Sequence, residues 1–187
     1  VLAAARRPAE LDIADVLAGA RTVAVLEGVN DHENLGSIFR NAAGLGVDAL
    51  VFGAGCADPL YRRAVRVSMG HALLVPFAKA EEWPADLYRL RDNGFRMLAM
   101  TPSPQARTLS EVVEELADQK VAVLVGAEGP GLTQPALRAA DARVRVPMSR
   151  GTDSLNVATA AALAFYERVR RVDDAAEGRG GGGGARQ

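Results

Sequence analysis

Between Thr22 and Arg171, short apolar runs alternate with amphipathic stretches, and many of the runs are β-branched and end in Gly or Pro. This alternation constrains the fold more than any other feature. It predicts strands at 22–26, 49–52, 73–76, 96–100, 121–125 and 144–146. It predicts helices at 10–17, 35–45, 60–68, 85–92, 110–117, 134–140 and 153–171. A run such as Val121-Ala122-Val123-Leu124-Val125 has no polar face, so it must be covered on both sides. Strands of that kind, separated by helices, imply an α/β fold with a parallel sheet flanked by helices. A chain of 187 residues suits one such domain, placed here at 21–172. Residues 1–20 read as a leading helix or the remnant of a linker to an upstream domain. The Gly-rich 173–187 read as a disordered tail, since they offer little apolar surface to bury.

Composition narrows the chemistry. With 22 basic and 23 acidic residues the net charge is −1, so a nucleic-acid contact must be a local patch rather than a coat of charge. The single cysteine, Cys56, excludes an internal disulfide framework and reads as a small apolar residue after a strand. His32 and His71 lack metal-ligand spacing with each other or with Cys56, so no metal is expected. No apolar run approaches the ~20 residues of a membrane helix. No secretory signal is evident, and the cytoplasm is the expected compartment. The P-loop pattern is absent, Gly53-Ala54-Gly55 lacks the third glycine of a dinucleotide fingerprint, and no GxSxG occurs.

In open parallel sheets ligands bind beyond the carboxyl ends of the strands. Three loops there are rich in Gly and polar residues, at 27–40, 126–132 and 147–156. The first contains Asn34-Leu35-Gly36-Ser37-Ile38-Phe39-Arg40, in which Asn34 is a candidate helix cap, Gly36 permits close approach, and Arg40 points away from the Ile38–Ala42–Leu45 stripe. The second, Gly126-Ala127-Glu128-Gly129-Pro130-Gly131, sets one carboxylate among three glycines. The third runs from Val146-Pro147-Met148 to Ser154-Leu155-Asn156, with Asp153 or Ser154 a candidate N-cap. Taken singly, each segment is also compatible with ordinary capped helices and turns.

In this order and spacing the three segments resemble the SpoU/TrmH family of SPOUT-class RNA methyltransferases. The matching signatures are N-x-G-x-x-x-R, G-x-E-G-x-G and P-M…S-L-N, met by Asn34, Gly36, Arg40, Gly126, Glu128, Gly129, Gly131, Pro147, Met148, Ser154, Leu155 and Asn156. The resemblance implies a SPOUT fold with a C-terminal trefoil knot, a homodimer, and methyl transfer from S-adenosyl-L-methionine to a ribose 2′-hydroxyl of RNA. It places Gly126, Ala127, Val146, Met148 and Leu155 around the cofactor. It makes Arg40 the catalytic residue, with Asn34, Glu128, Ser154 and Asn156 beside it. A guanidinium stays protonated at neutral pH, so Arg40 is expected to stabilise the developing alkoxide and hold a phosphate rather than act as base. The proton would leave to substrate phosphate, water or Glu128, unless Glu128 instead orients Asn34 or Arg40.

Arg62, Arg63 and Arg66 form the clearest basic cluster, a candidate phosphate contact or a solvated helix face, and Arg150 is a further candidate. Only Lys79 and Lys120 of the basic residues are lysine, and arginine favours bidentate phosphate contacts. The last helix carries Leu155, Ala158, Ala162, Phe165 and Val169 on one stripe, suited to burial against the knot or a second subunit. Ribosomal RNA is the expected substrate. The same chemistry on transfer RNA, an inactive RNA-binding or assembly factor of the same fold, and a nucleotide-dependent oxidoreductase are the competing readings.

Overall fold

The computed structural model describes residues 6–149 and 152–180. Its centre is a pair of parallel strands, β1 (Thr22–Glu27) and β6 (Lys120–Gly126), registered Val23 to Ala122 and Glu27 to Gly126. Every residue of β1 is buried, as are Val121 to Val125 in β6. Around them lie β2 (Ala49–Phe52), β3 (Phe77–Lys79), β4 (Phe95–Met100), β5 (Arg107–Thr108) and β7 (Ala142–Arg145). The order is β3-β2-β1-β6-β4-β7-β5, and every pairing is parallel.

Alternation along the strands sorts the core into two layers, because successive side chains leave a strand on opposite faces. On one face, Ala24, Leu26, Val121, Val123 and Val125 pack with α2 (His32–Gly44), α5 (Leu109–Glu115) and α7 (Val157–Gly180). On the other, Val23, Val25, Ala122 and Leu124 pack with α1 (Ile13–Leu17), α4 (Leu87–Asp92) and α6 (Gln134–Ala139). The remaining helix, α3 (Arg62–Val67), lies against α2. Arg168 is buried in α7 at 1% exposure. It donates to the carbonyls of Leu116 (2.8 Å), Ala117 (3.1 Å) and Gln119, and to Thr22 Oγ1 (3.3 Å), tying α7 to the turn between α5 and β6.

Several predicted bounds shift for physical reasons. The apolar run 73–76 is not a strand: His71–Leu73 is a 3₁₀ turn, held by Ser68 Oγ accepting from Ala72 N at 3.2 Å, and Leu73 and Leu74 are exposed. Pairing begins only as Pro76 O accepts from Leu50 N at 3.0 Å, so β3 starts at Phe77. The two-residue β5 gave no periodic signal. Asp31, not Asn34, caps α2, accepting from Glu33 N (2.9 Å) and Asn34 N (2.8 Å). Asn156, not Asp153 or Ser154, caps α7, accepting from Ala158 N (2.9 Å) and Thr159 N (3.2 Å). Leu155 therefore precedes the helix rather than joining its buried stripe. The backbone of α7 continues to Gly180, into the predicted tail, and 181–187 lie outside the described residues.

Candidate active site

A cavity of about 420 Å³ opens at the carboxyl edge of β6, β4 and β7. All three loops that build it follow strand ends. Val125 to Gly129 and Gly131 form one wall, Val146 and Met148 another, and Ser154 to Val157 with Ala160 close it from the start of α7. The wall at 126–131 is tightly wound: Gly131 N donates to Ala127 O at 2.9 Å, and a Cβ on Gly126 would lie 2.2 Å from Gly131 C. Only glycine at 126 lets the loop fold back over its own strand. Among the described lining residues Glu128 is the only ionisable one.

At the mouth of the cavity the three motifs meet. Asn156 Nδ2 donates to Asn34 Oδ1 at 2.7 Å and to Glu128 Oε1 at 2.9 Å. The side chain is fully used, because its Oδ1 caps α7. Glu128 thus orients Asn156, and through it Asn34. A second tie sets α2 against α7, where Asn41 Nδ2 donates to Ala158 O at 3.1 Å. Gly36 serves the other side of α2: a Cβ there would sit 2.7 Å from Ala64 O and 2.8 Å from Val67 Cβ. The close approach that this glycine permits is by α3, not by a ligand.

The expected cofactor residues Gly126, Ala127, Val146, Met148 and Leu155 all line the cavity, with Glu128, Ser154 and Asn156. Asn34 reaches it through Asn156. Arg40 does not line it; it is exposed on α2 and makes no hydrogen bond or ion pair with the described residues. Arg62 and Arg66 are likewise exposed and without such partners, whereas Arg63 pairs with Glu33. Arg150 lies outside the described residues. The sequence reading missed Met100, Thr101 and Pro102, which form a further wall after β4. Their signal was position alone, a strand end with no glycine to mark it.

The geometry defines a parallel α/β fold with a cavity assembled from three separated sequence segments. Residues 21–166 match the model of the SpoU rRNA methylase family, and the chain belongs to that family. It is 73% identical over 170 residues to an uncharacterized tRNA/rRNA methyltransferase of Mycobacterium bovis, covering 91% of this chain and 59% of that protein. A Synechocystis protein of the same description is 34% identical over 152 residues, with 81% of this chain and 54% of that protein covered. The chain therefore spans a little over half the length of these relatives. Among solved structures, an AdoMet-bound rRNA methyltransferase from Sinorhizobium meliloti superposes with a TM-score of 0.80 at 26% identity, over 88% of this chain and 62% of that one. An RNA 2′-O ribose methyltransferase gives a TM-score of 0.69 at 29% identity, over 90% and 59%. The parallel sheet between helices is the SPOUT-class architecture expected from the motifs. Among the described residues no helix is long and apolar enough to cross a membrane, and no cluster of potential metal ligands occurs.

Proposed function

We propose that this protein transfers a methyl group from S-adenosyl-L-methionine to a ribose 2′-hydroxyl of RNA. The reading is carried by one observation: the cavity built from the second and third motifs adjoins the Asn34–Asn156–Glu128 network that joins all three. The cavity suits the cofactor. Val125, Val146, Met148, Leu155 and Val157 offer apolar surface for a flat heterocycle, and the backbone at 126–129 offers donors and acceptors. The one ionisable side chain among the described lining residues is an acid, compatible with a cationic sulfonium. When bound, the cofactor supplies an electrophilic methyl group.

The chain's own residues then position the nucleophile. Asn34 and Asn156, locked to each other and to Glu128, present fixed polar groups at the cavity mouth. Arg40 stabilises negative charge on the ribose oxygen and neighbouring phosphate, and phosphate, water or Glu128 takes the proton. Arg40 follows Asn34 by six residues, about 240° around the helix, so one chain does not aim both at one cavity. We infer that a second copy supplies Arg40 and that the protein is a homodimer. The exposed Leu163 (37%) and Tyr166 (51%) of α7 support this, as a surface for that copy to cover.

The RNA would lie across the exposed Arg62 and Arg66, which Gly36 holds close to α2. Arg63, engaged with Glu33, contributes less. Ribosomal RNA in the cytoplasm is the substrate we favour, in keeping with the family's description. Mass-spectrometric mapping of 2′-O-methyl sites in cells with and without the gene tests this. A missing mark in transfer RNA instead would reassign the substrate, and no missing mark would leave only a binding role.

A further inference from the structure

Glu27 is a carboxylate that the chemistry above does not use. It ends β1 at 4% exposure, paired across the sheet with Gly126. Its side chain leaves the sheet on the side of α6, the opposite face from α7, and three donors converge on it. Thr133 N donates to Oε2 at 2.8 Å, Thr133 Oγ1 donates to Oε1 at 2.8 Å, and Trp83 Nε1 donates to Oε1. A buried carboxylate is costly unless so satisfied, and its retention at a strand end asks for a reason.

Thr133 gives that reason. It follows directly on the loop 126–132 that forms one wall of the cavity. The near end of that loop is fixed by β6, and its far end by Thr133 on Glu27. Trp83 fixes Glu27 in turn: its ring lies flat on Gly53, where a Cβ would come within 2.6 Å of the indole. The brace therefore runs from the end of β2 through Trp83 and Glu27 to the loop. No part of it lines the cavity.

We propose that Glu27 is a positioning residue that holds the 126–132 loop closed over Gly126 and so sets the affinity of the cavity for its ligand. This rests on reading the cavity as the S-adenosylmethionine site, and the test separates the two. Glu27→Gln keeps size and polarity but brings an NH₂ group to a site where three donors already converge, so at least one loses its acceptor. In the unliganded variant, hydrogen exchange over 127–133 is expected to quicken about tenfold, the loss of roughly one charge-assisted hydrogen bond, while β1 and β4 stay protected. Trp83 is the only tryptophan, so its emission reports the loss of the indole contact directly. The dissociation constant and KM for S-adenosylmethionine should rise about tenfold with kcat at saturation within about twofold, because no group that touches substrate has changed.

Exchange over the loop and cofactor affinity both within about twofold of wild type would overturn the proposal. Faster loop exchange in a chain whose wild type takes up no S-adenosylmethionine would keep the brace and defeat the reading of the cavity. Should Glu27→Gln not fold, Trp83→Phe removes a single donor and is expected to move exchange and affinity in the same direction by about threefold. No change there in a folded protein would also overturn it.

Discussion

Asn156 Nδ2 donates to Asn34 Oδ1 at 2.7 Å across 122 residues of chain. The same amide reaches Glu128, and its oxygen caps α7, so one side chain both starts a helix and joins three motifs. Asn156→Ala should therefore lose about 1 kcal/mol of stability with the cap, and also lose methyl transfer. Asn34→Ala removes only the link and should impair transfer at nearly unchanged stability. Thermal melts beside a label-transfer assay separate the two effects.

If a second subunit supplies Arg40, complementation follows. Arg40→Ala should lower transfer by about 10²–10³-fold, and Asn156→Ala should be similarly impaired. Mixing the two and allowing subunits to exchange should restore activity, since mixed dimers hold one intact site. No recovery in mixtures proven to exchange would place Arg40 and Asn156 in the same subunit's site.

The exposed Arg62 and Arg66 predict a salt-dependent phosphate contact. Replacing both with Ala should weaken RNA binding and reduce the slope of log affinity against log salt by about 2, one for each lost phosphate contact. Arg63→Ala should change the slope less, because Glu33 already neutralises it. Binding isotherms at several salt concentrations test both.

Arg168 is the buried cation on which the α7 interface depends. Burial lowers its pKa from the ordinary guanidinium range to about 10, and Arg21 nearby adds to the effect. A folded value below the unfolded one means that the cost of burying the charge is constant below about pH 10 and is relieved only as pH climbs from there towards the unfolded value. Arg168→Met should thus cost about 2–4 kcal/mol by orphaning carbonyls at 116, 117 and 119, with a difference from wild type that is flat from about pH 6 to 9. Denaturant titrations at both ends of that range check the size and the flatness.

Cys56 should be a poor nucleophile. Burial pushes its thiol above the ordinary 9.0, and Sγ donates to Leu26 O at 3.2 Å. Alkylation of the native protein at neutral pH should lag far behind that of the unfolded chain. Equal rates would show the thiol to be open.

Much of the fold was legible because burial leaves a periodic trace. The unbroken run 121–125 announced a central strand covered on both faces, and the helical spacing of Ile38, Ala42 and Leu45 announced the inner face of α2. The strand at 77–79 was misplaced because 73–76 are equally apolar, and only the Ser68 contact and the missing N–H of Pro76 decide where pairing starts. The lining residues 100–102 were silent for a related reason, since nothing in their side chains differs from those of an ordinary loop.

The sequence by itself determined the alternating parallel architecture and the three motifs, because periodic burial and residue identity are local properties of a chain. The tertiary structure alone decided that Asn156 rather than Asp153 or Ser154 caps α7, that Gly36 makes room for a helix, that Arg40 stands outside the cavity its own chain builds, and that Glu27 braces Thr133 from the far face of the sheet. Those are relations between atoms dozens of residues apart. They depend on strand order and on the direction in which each side chain leaves its element, and no window of sequence contains either.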